Sequence, residues 1–121
     1  MDLLLERGRD AMEAGDYGAA VEHLTALVDH APDFPEGWNA RATAYFLSGL
    51  IGPSIEDIRH TLILEPRHFG ALSGLAIIFE DMGRPEQALE AWLAVRAIHP
   101  HMPDLDETIK RLERQVSGTD L

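Results

Sequence analysis

Cysteine is absent from the 121 residues. Its absence removes disulfides, thiol catalysis and thiolate metal sites together, and leaves the redox compartment open. Long apolar runs are missing as well. Runs such as Leu75–Phe79, which none exceeds, fall far short of the ~20 residues a membrane span needs. Positive charge is scarce: ten Lys and Arg stand against 21 Asp and Glu, for a net charge of −11. Such a surface repels phosphates, so nucleic acid and anionic membrane are poor partners. Residues 1–15 carry Asp2, Glu6 and Asp10 among their apolar positions, which is not the pattern of a signal peptide. The compartment stays open between the cytoplasm and, if an export signal was removed, the periplasm. What remains, 45% hydrophobic and 26% charged, is ordinary for a single folded soluble domain over 1–121.

What is present is a period. Pro32, Pro66 and Pro100 stand 34 residues apart, and they divide the chain into 1–34, 35–68, 69–102 and a remainder of 103–121. In that register the columns agree. The fourth position holds Leu4, Trp38 and Leu72, and the eighth holds the small Gly8, Ala42 and Ala76. The eleventh reads Ala11, Tyr45 and Phe79; the fifteenth reads Gly15, Gly49 and Gly83, where a helix must stop and turn at positive φ. Small residues return at the twentieth (Ala20, Ser54, Ala88) and large ones at the twenty-fourth (Leu24, Ile58, Trp92). A repeat of this length is one helix-turn-helix unit that buries its apolar face by stacking on a neighbour.

These columns resemble the tetratricopeptide (TPR) repeat, over residues 1–102 as three units. Arg7 and Arg41 depart from it at a column where leucine is usual, and Thr61 occupies a column that is Leu27 and Val95 elsewhere. The stretches W-N-A-R-A-T-A-Y from Trp38 and P-R-H-F-G-A-L-S-G-L from Pro66 are further similar to a group of short bacterial TPR proteins. The resemblance implies an all-α, right-handed superhelix of antiparallel helix pairs.

The spacing predicts helices near 2–14, 18–31, 36–48, 53–65, 70–82 and 86–98. A seventh, capping helix is expected over 104–117, with a tail over 118–121 expected to fray. Leu105, Ile109, Leu112 and Val116 form its apolar stripe; Asp106, Lys110, Glu113 and Arg114 form the opposite side. Asp33 with Glu36, and Asp104 with Glu107, have capping-box spacing, and Pro35 and Pro85 suit the first turn of a helix. Leu3, Leu4 and Leu5 crowd one terminal turn. Either they pack on the following helices or they form a surface for a second copy or a missing N-terminal region, the basis for a homodimer through the first helix.

Function in TPR proteins lies on the face lined by the first helix of each unit. By the family's register the candidate groove residues are Leu5, Arg9 and Met12, with Asp2 and Glu13; then Glu36, Asn39, Thr43, Phe46 and Leu47; then Ser73, Ile77, Glu80 and Asp81, with Gly70. The capping helix adds Glu107, Arg111 and Arg114. The resemblance implies a non-catalytic scaffold for a peptide or helix of a protein partner. Leu5, Met12, Phe46, Leu47 and Ile77 would form the floor, Asn39 would meet peptide backbone, and Glu36, Glu80 and Asp81 would favour a basic flank. The alternative stays open that Phe46 and Leu47 only pack at a helix-pair junction. Repeats that clamp a chaperone's C-terminal carboxylate need several cations here, and only Arg9 qualifies among Leu5, Arg9, Thr43, Ser73 and Ile77.

No cofactor is expected. The six histidines include His99-Pro100-His101, with His68 at an earlier repeat boundary, but their spacing matches no zinc motif. Carboxylate pairs such as Glu56-Asp57 and Glu80-Asp81 read as solvated helix faces.

Overall fold

The computed structural model describes residues 2–118, and of Asp2 only its place in the first helix. Within them run α1 (Asp2–Glu13), α2 (Tyr17–His30), α3 (Pro35–Leu47), α4 (Ile51–Leu64), α5 (Phe69–Asp81), α6 (Pro85–Ile98) and α7 (Leu105–Ser117). There is no strand among the described residues. The contacts group into two compact units, Met1–His68 and Phe69–Leu121, so the division falls on a repeat boundary.

The 34-residue period is written into the backbone hydrogen bonds. Gly15, Gly49 and Gly83 have φ of 78°, 80° and 70°. A Cβ at any of the three would meet nothing within 4 Å, so backbone conformation and not crowding selects glycine. Around each, the same two bonds close the preceding helix. Gly15, Gly49 and Gly83 donate to the carbonyls of Met12, Phe46 and Glu80, each at 3.0 Å. Asp16, Leu50 and Arg84 donate to Ala11, Tyr45 and Phe79 at 2.8, 2.9 and 2.9 Å. This is the Schellman arrangement. Asp16, Leu50 and Arg84 are also the N-cap residues of α2, α4 and α6. One residue thus ends one helix and begins the next. Of the three only Asp16 caps with its side chain, accepting from the Ala19 N–H at 3.1 Å.

The repeat-boundary turns are equally regular. Ala31, Glu65 and His99 donate to Leu27, Thr61 and Val95, each at 2.8 Å, which closes α2, α4 and α6 one residue before the proline. Proline then cannot continue the helix.

In the first unit the buried core joins Ala20, Leu24 and Leu27 of α2 to Ala40 and Ala44 of α3, with Leu4, Leu5, Ala11 and Met12 of α1 packed against it. The small eighth column serves close approach: a Cβ on Gly8 would lie 2.5 Å from Leu24 Cδ2. The α3–α4 pair is more polar. Ser54 Oγ donates to the Ala42 carbonyl at 2.7 Å, and Thr61 Oγ1 to the Asp57 carbonyl at 2.8 Å. The Thr61 hydroxyl is therefore satisfied in a column that elsewhere carries Leu27 and Val95.

Arg41, at the other departure from the family pattern, is held by Asp57: Nε to Oδ2 at 2.7 Å and Nη2 to Oδ1 at 2.9 Å. Nη1 reaches Thr25 Oγ1 of α2 at 3.3 Å. The guanidinium also lies over the rings of Trp38 (5.2 Å) and Tyr45 (5.5 Å). Trp38 stacks on His60 at 3.7 Å and donates its indole N–H to the Pro32 carbonyl at 2.9 Å. The hydrogen bonds to Asp57 raise the Arg41 pKa above its ordinary value, outweighing the burial that opposes it. Asp57 is therefore buried and paired, not the solvated acid its neighbour Glu56 suggests.

The second unit has its own core: Ala76 of α5, Ala88, Ala91, Trp92 and Val95 of α6, and Leu105, Ile109 and Leu112 of α7. The seventh helix thus covers α6 as the stripe predicts, except that Val116 is exposed. It sits in the final turn, beyond the last core contact. Gly118, expected in the tail, instead caps α7 with φ 76° and donates to the Arg114 and Gln115 carbonyls. Residues 119–121 of that expected tail lie outside the described residues.

Neither capping box forms. Pro35 takes the first helical position, so the N-cap is Phe34, held extended (φ −97°, ψ 103°) as the residue before a proline must be. Asp33 is one residue too early. Asp104 is the N-cap of α7 but lies in the left-handed region (φ 63°, ψ 1°), and its carboxylate makes no capping bond. Its carbonyl takes the Thr108 N–H at 3.1 Å instead.

Candidate functional site

The candidate residues are divided between the two units. In the first unit, α1 supplies Leu5, Arg9 and Met12, and α3 supplies Glu36, Asn39, Thr43, Phe46 and Leu47. The periodicity that places them on one face also gives part of it to the core. Leu5 and Met12 pack against the α2–α3 cluster and are only half exposed. Phe46 is half-buried, whereas Leu47, one residue on, is 45% exposed. Asp2, a further groove position, has its side chain outside the described residues.

The polar groups here are largely spoken for. One oxygen of Glu36 lies 3.6 Å from Arg9 Nη2, and the other meets Nε2 of the buried His68. Thr43 Oγ1 donates to the Asn39 carbonyl at 3.2 Å. The Asn39 carboxamide has no partner among the described residues and is half exposed. His68 was legible only as a repeat-boundary histidine; its burial against Glu36 links two residues 32 apart in sequence.

In the second unit α5 supplies Ser73, Ile77, Glu80 and Asp81, and α7 supplies Arg111. Ile77 is 44% exposed and Asp81 is fully on the surface, with no ion pair among the described residues. Ser73 Oγ is buried without a hydrogen-bond partner among the described residues. Glu80 is not a free acid. Its Oε2 accepts from the Trp92 indole N–H at 2.8 Å and its Oε1 from Arg111 Nη2 at 2.6 Å, which ties α5 to both α6 and α7. Glu107 and Arg114 are exposed on α7.

The histidines do not converge on a metal. His60 stacks on Trp38, His68 faces Glu36, and His99 lies at a tilt against Phe69 with ring centroids 5.6 Å apart. Among the described residues no group of three or more His, Asp or Glu side chains is placed to hold an ion. No helix there is long and apolar enough to cross a membrane.

Comparison with known proteins agrees with the repeat. Residues 5–52 match the family model described as Tetratricopeptide repeat. A TPR repeat-containing protein of Rhizobium etli is 36% identical over 118 residues, 98% of this chain and 58% of that protein. The Sgt2 TPR domain from Aspergillus fumigatus superposes with a TM-score of 0.85 at 24% identity, covering 98% of this chain and 80% of that one. The first TPR of Spaghetti (RPAP3), solved bound to the HSP90 peptide SRMEEVD, gives 0.87 at 20% identity, covering 95% and 94%. This chain belongs to the tetratricopeptide-repeat family, with an all-α TPR fold. It spans 58% of the Rhizobium relative and 33% of a small glutamine-rich TPR protein of Mycosarcoma maydis, 28% identical to it.

Proposed function

We propose that the chain is a non-catalytic protein-interaction module that binds a peptide or helix of a partner through the faces of its first helices. The observation that carries this reading is the uncovered apolar surface at groove-register positions: Leu47 on α3 and Ile77 on α5 are both nearly half exposed. Large apolar side chains left in water inside a polar rim are the ordinary anchor points of an interface. Phe46, next to Leu47 in the chain, supplies an aromatic edge, and the half-exposed Met12 of α1 an adaptable side chain. The unpartnered Asn39 carboxamide offers a donor and an acceptor to peptide backbone.

Charge narrows the partner. SRMEEVD, the peptide bound by the Spaghetti domain, is acidic. Here the one cation at the corresponding columns of α1 and α3, Arg9, faces Glu36, and the whole chain carries −11. An acidic peptide of that kind is a poor ligand for this face. With Glu36 and Glu80 held by their own neighbours, Asp81 and Glu13 are the acids left to meet a basic flank.

The test is capture of partner proteins from lysate by the wild-type chain and by a Leu47→Glu, Ile77→Glu double variant. Both positions are exposed, so the fold survives, as circular dichroism would verify. A protein retained by the wild type alone supports the reading, and equal retention by both refutes it. A second reading, self-association through α1, is favoured by Leu3, which is 55% exposed while Leu4 and Leu5 pack inward. Sedimentation of the wild type and of Leu3→Ser decides it: a monomer at every concentration removes that reading.

A further inference from the structure

A cavity of about 220 Å³ opens in the second unit between the α5–α6 turn and α7, lined by Glu80, Gly83, Arg84, Pro85, Arg111, Leu112 and Gln115. We propose that it is an oxyanion-binding site, in which Arg84 and Arg111 clamp a carboxylate or phosphate group and Gln115 adds a donor. The site shares Glu80 and Arg111 with the groove-register face, but its donors are counted without reference to any partner bound there.

Donors outnumber acceptors in the lining. The carboxylate in the wall, Glu80, has each oxygen engaged, one by Trp92 and one by Arg111. The carbonyls at the end of α5 are also taken: Glu80 accepts from Gly83 at 3.0 Å and Phe79 from Arg84 at 2.9 Å. At the other wall the Gln115 carbonyl accepts from Gly118 at 3.3 Å. Pro85 has no N–H. What the lining has left over, the Gln115 carboxamide oxygen apart, is therefore donors. Arg84 makes no side-chain hydrogen bond or ion pair among the described residues. Arg111 spends one Nη on Glu80 and keeps the rest of its five-donor fork. The Gln115 amide is also without a partner. Two guanidinium groups against one consumed carboxylate leave a local excess of positive charge in a chain whose net charge is −11. Planar forks of this kind match the oxygens of carboxylate and phosphate, and do so better than they match any neutral group.

Arg111 is also pre-set. Glu80 is anchored from behind by the Trp92 indole, so the guanidinium it holds is fixed before a ligand arrives, and little side-chain entropy remains to be lost on binding. Arg84, exposed and held by no side-chain partner among the described residues, is the other half of the clamp. An adjoining hollow of about 270 Å³ shares Arg84 and Pro85 and adds Glu86 and Gln87, and Glu86 is not among the residues that line the first cavity.

The experiment is an NMR titration of the full chain, labelled with nitrogen-15, with sodium acetate and separately with inorganic phosphate, at constant ionic strength set by sodium chloride. The expected result is saturable shifts at the Gly83, Arg84, Arg111 and Gln115 amides, with a Kd on the order of millimolar. Arg59 and Arg67, in the other unit, should not move. Arg84→Gln keeps the backbone N–H that closes the turn and should weaken binding roughly tenfold or more. Saturation by phosphate alone assigns a phosphorylated ligand, and saturation by acetate assigns a carboxylate. Shifts that never saturate, that appear equally at Arg59 and Arg67, or that persist unchanged in Arg84→Gln overturn the proposal.

Discussion

Replacing Asp57 by Ala tests whether the Arg41–Asp57 pair is a stabilising element or a tolerated substitute for an apolar one. The side chains are 15% and 6% exposed, so each charge depends on the other and little on solvent. Removing Asp57 strands a buried guanidinium with Thr25 as its only remaining side-chain hydrogen-bond partner among the described residues, and a loss of this kind costs about 3–5 kcal/mol. Arg41→Leu strands the carboxylate and should cost a similar amount. The repeat itself supplies the control. Arg41 and Asp57 stand at the seventh and twenty-third columns, where the third repeat carries Leu75 and Ala91. The double variant Arg41→Leu, Asp57→Ala copies that pair into the second repeat. It should recover most of the loss, ending within about 2 kcal/mol of wild type, because a buried ion pair seldom outperforms a packed apolar one. Urea denaturation of the four proteins, followed by circular dichroism, gives the coupling energy directly. Additive losses in the double variant would refute the reasoning, since they would mean that neither residue answers to the other. The pH dependence supplies a further check. The Arg41 pKa is raised in the folded state, so the stability it contributes is complete below the unfolded value and is lost only as pH rises through the folded one. Both lie above any working pH, and Arg41 itself should add no slope between about pH 5 and 9.

Gly8→Ala adds a methyl 2.5 Å from Leu24 Cδ2 and 2.6 Å from its Cγ. Helix propensity favours alanine by roughly 1 kcal/mol, but the overlap should win and leave a net loss of about 1–2 kcal/mol. A variant that melts higher than wild type would show that Leu24 yields. Ile109→Ala hollows the contact of α7 with α6 and should cost about 2–5 kcal/mol, read in the Trp92 fluorescence transition. An unchanged transition would mean that α7 does not stabilise this unit.

The sequence was legible wherever a structural demand recurs every 34 residues. Gly15, Gly49 and Gly83 answer one demand on φ, and Ala20, Ser54 and Ala88 one demand on space, so their columns announced helix ends and contacts before any coordinates. Partnerships between unlike columns were not legible, because no period repeats them. Glu36 and Glu80 read as groove acids, yet one faces Arg9 and His68 and the other Trp92 and Arg111. Asp57 read as solvated, although a signal was available. Arg41 had already broken the pattern at the column facing it, and a buried cation calls for a carboxylate across the helix pair. The capping boxes misled for a local reason. Their spacing was right, but Pro35 and the left-handed Asp104 set the backbone so that neither carboxylate reaches its N–H.

The residues that close one helix while opening the next leave no slack in the chain. One residue inserted between Gly15 and Tyr17 could not be absorbed as loop, since Asp16 already makes both the last bond of α1 and the first of α2. Taken up in the helix, it would turn the stripe of Ala20, Leu24 and Leu27 by about 100° away from its neighbours. Such turns hold the repeat at fixed length, so that a lineage built from them grows by duplicating whole units and not by lengthening the ones it has.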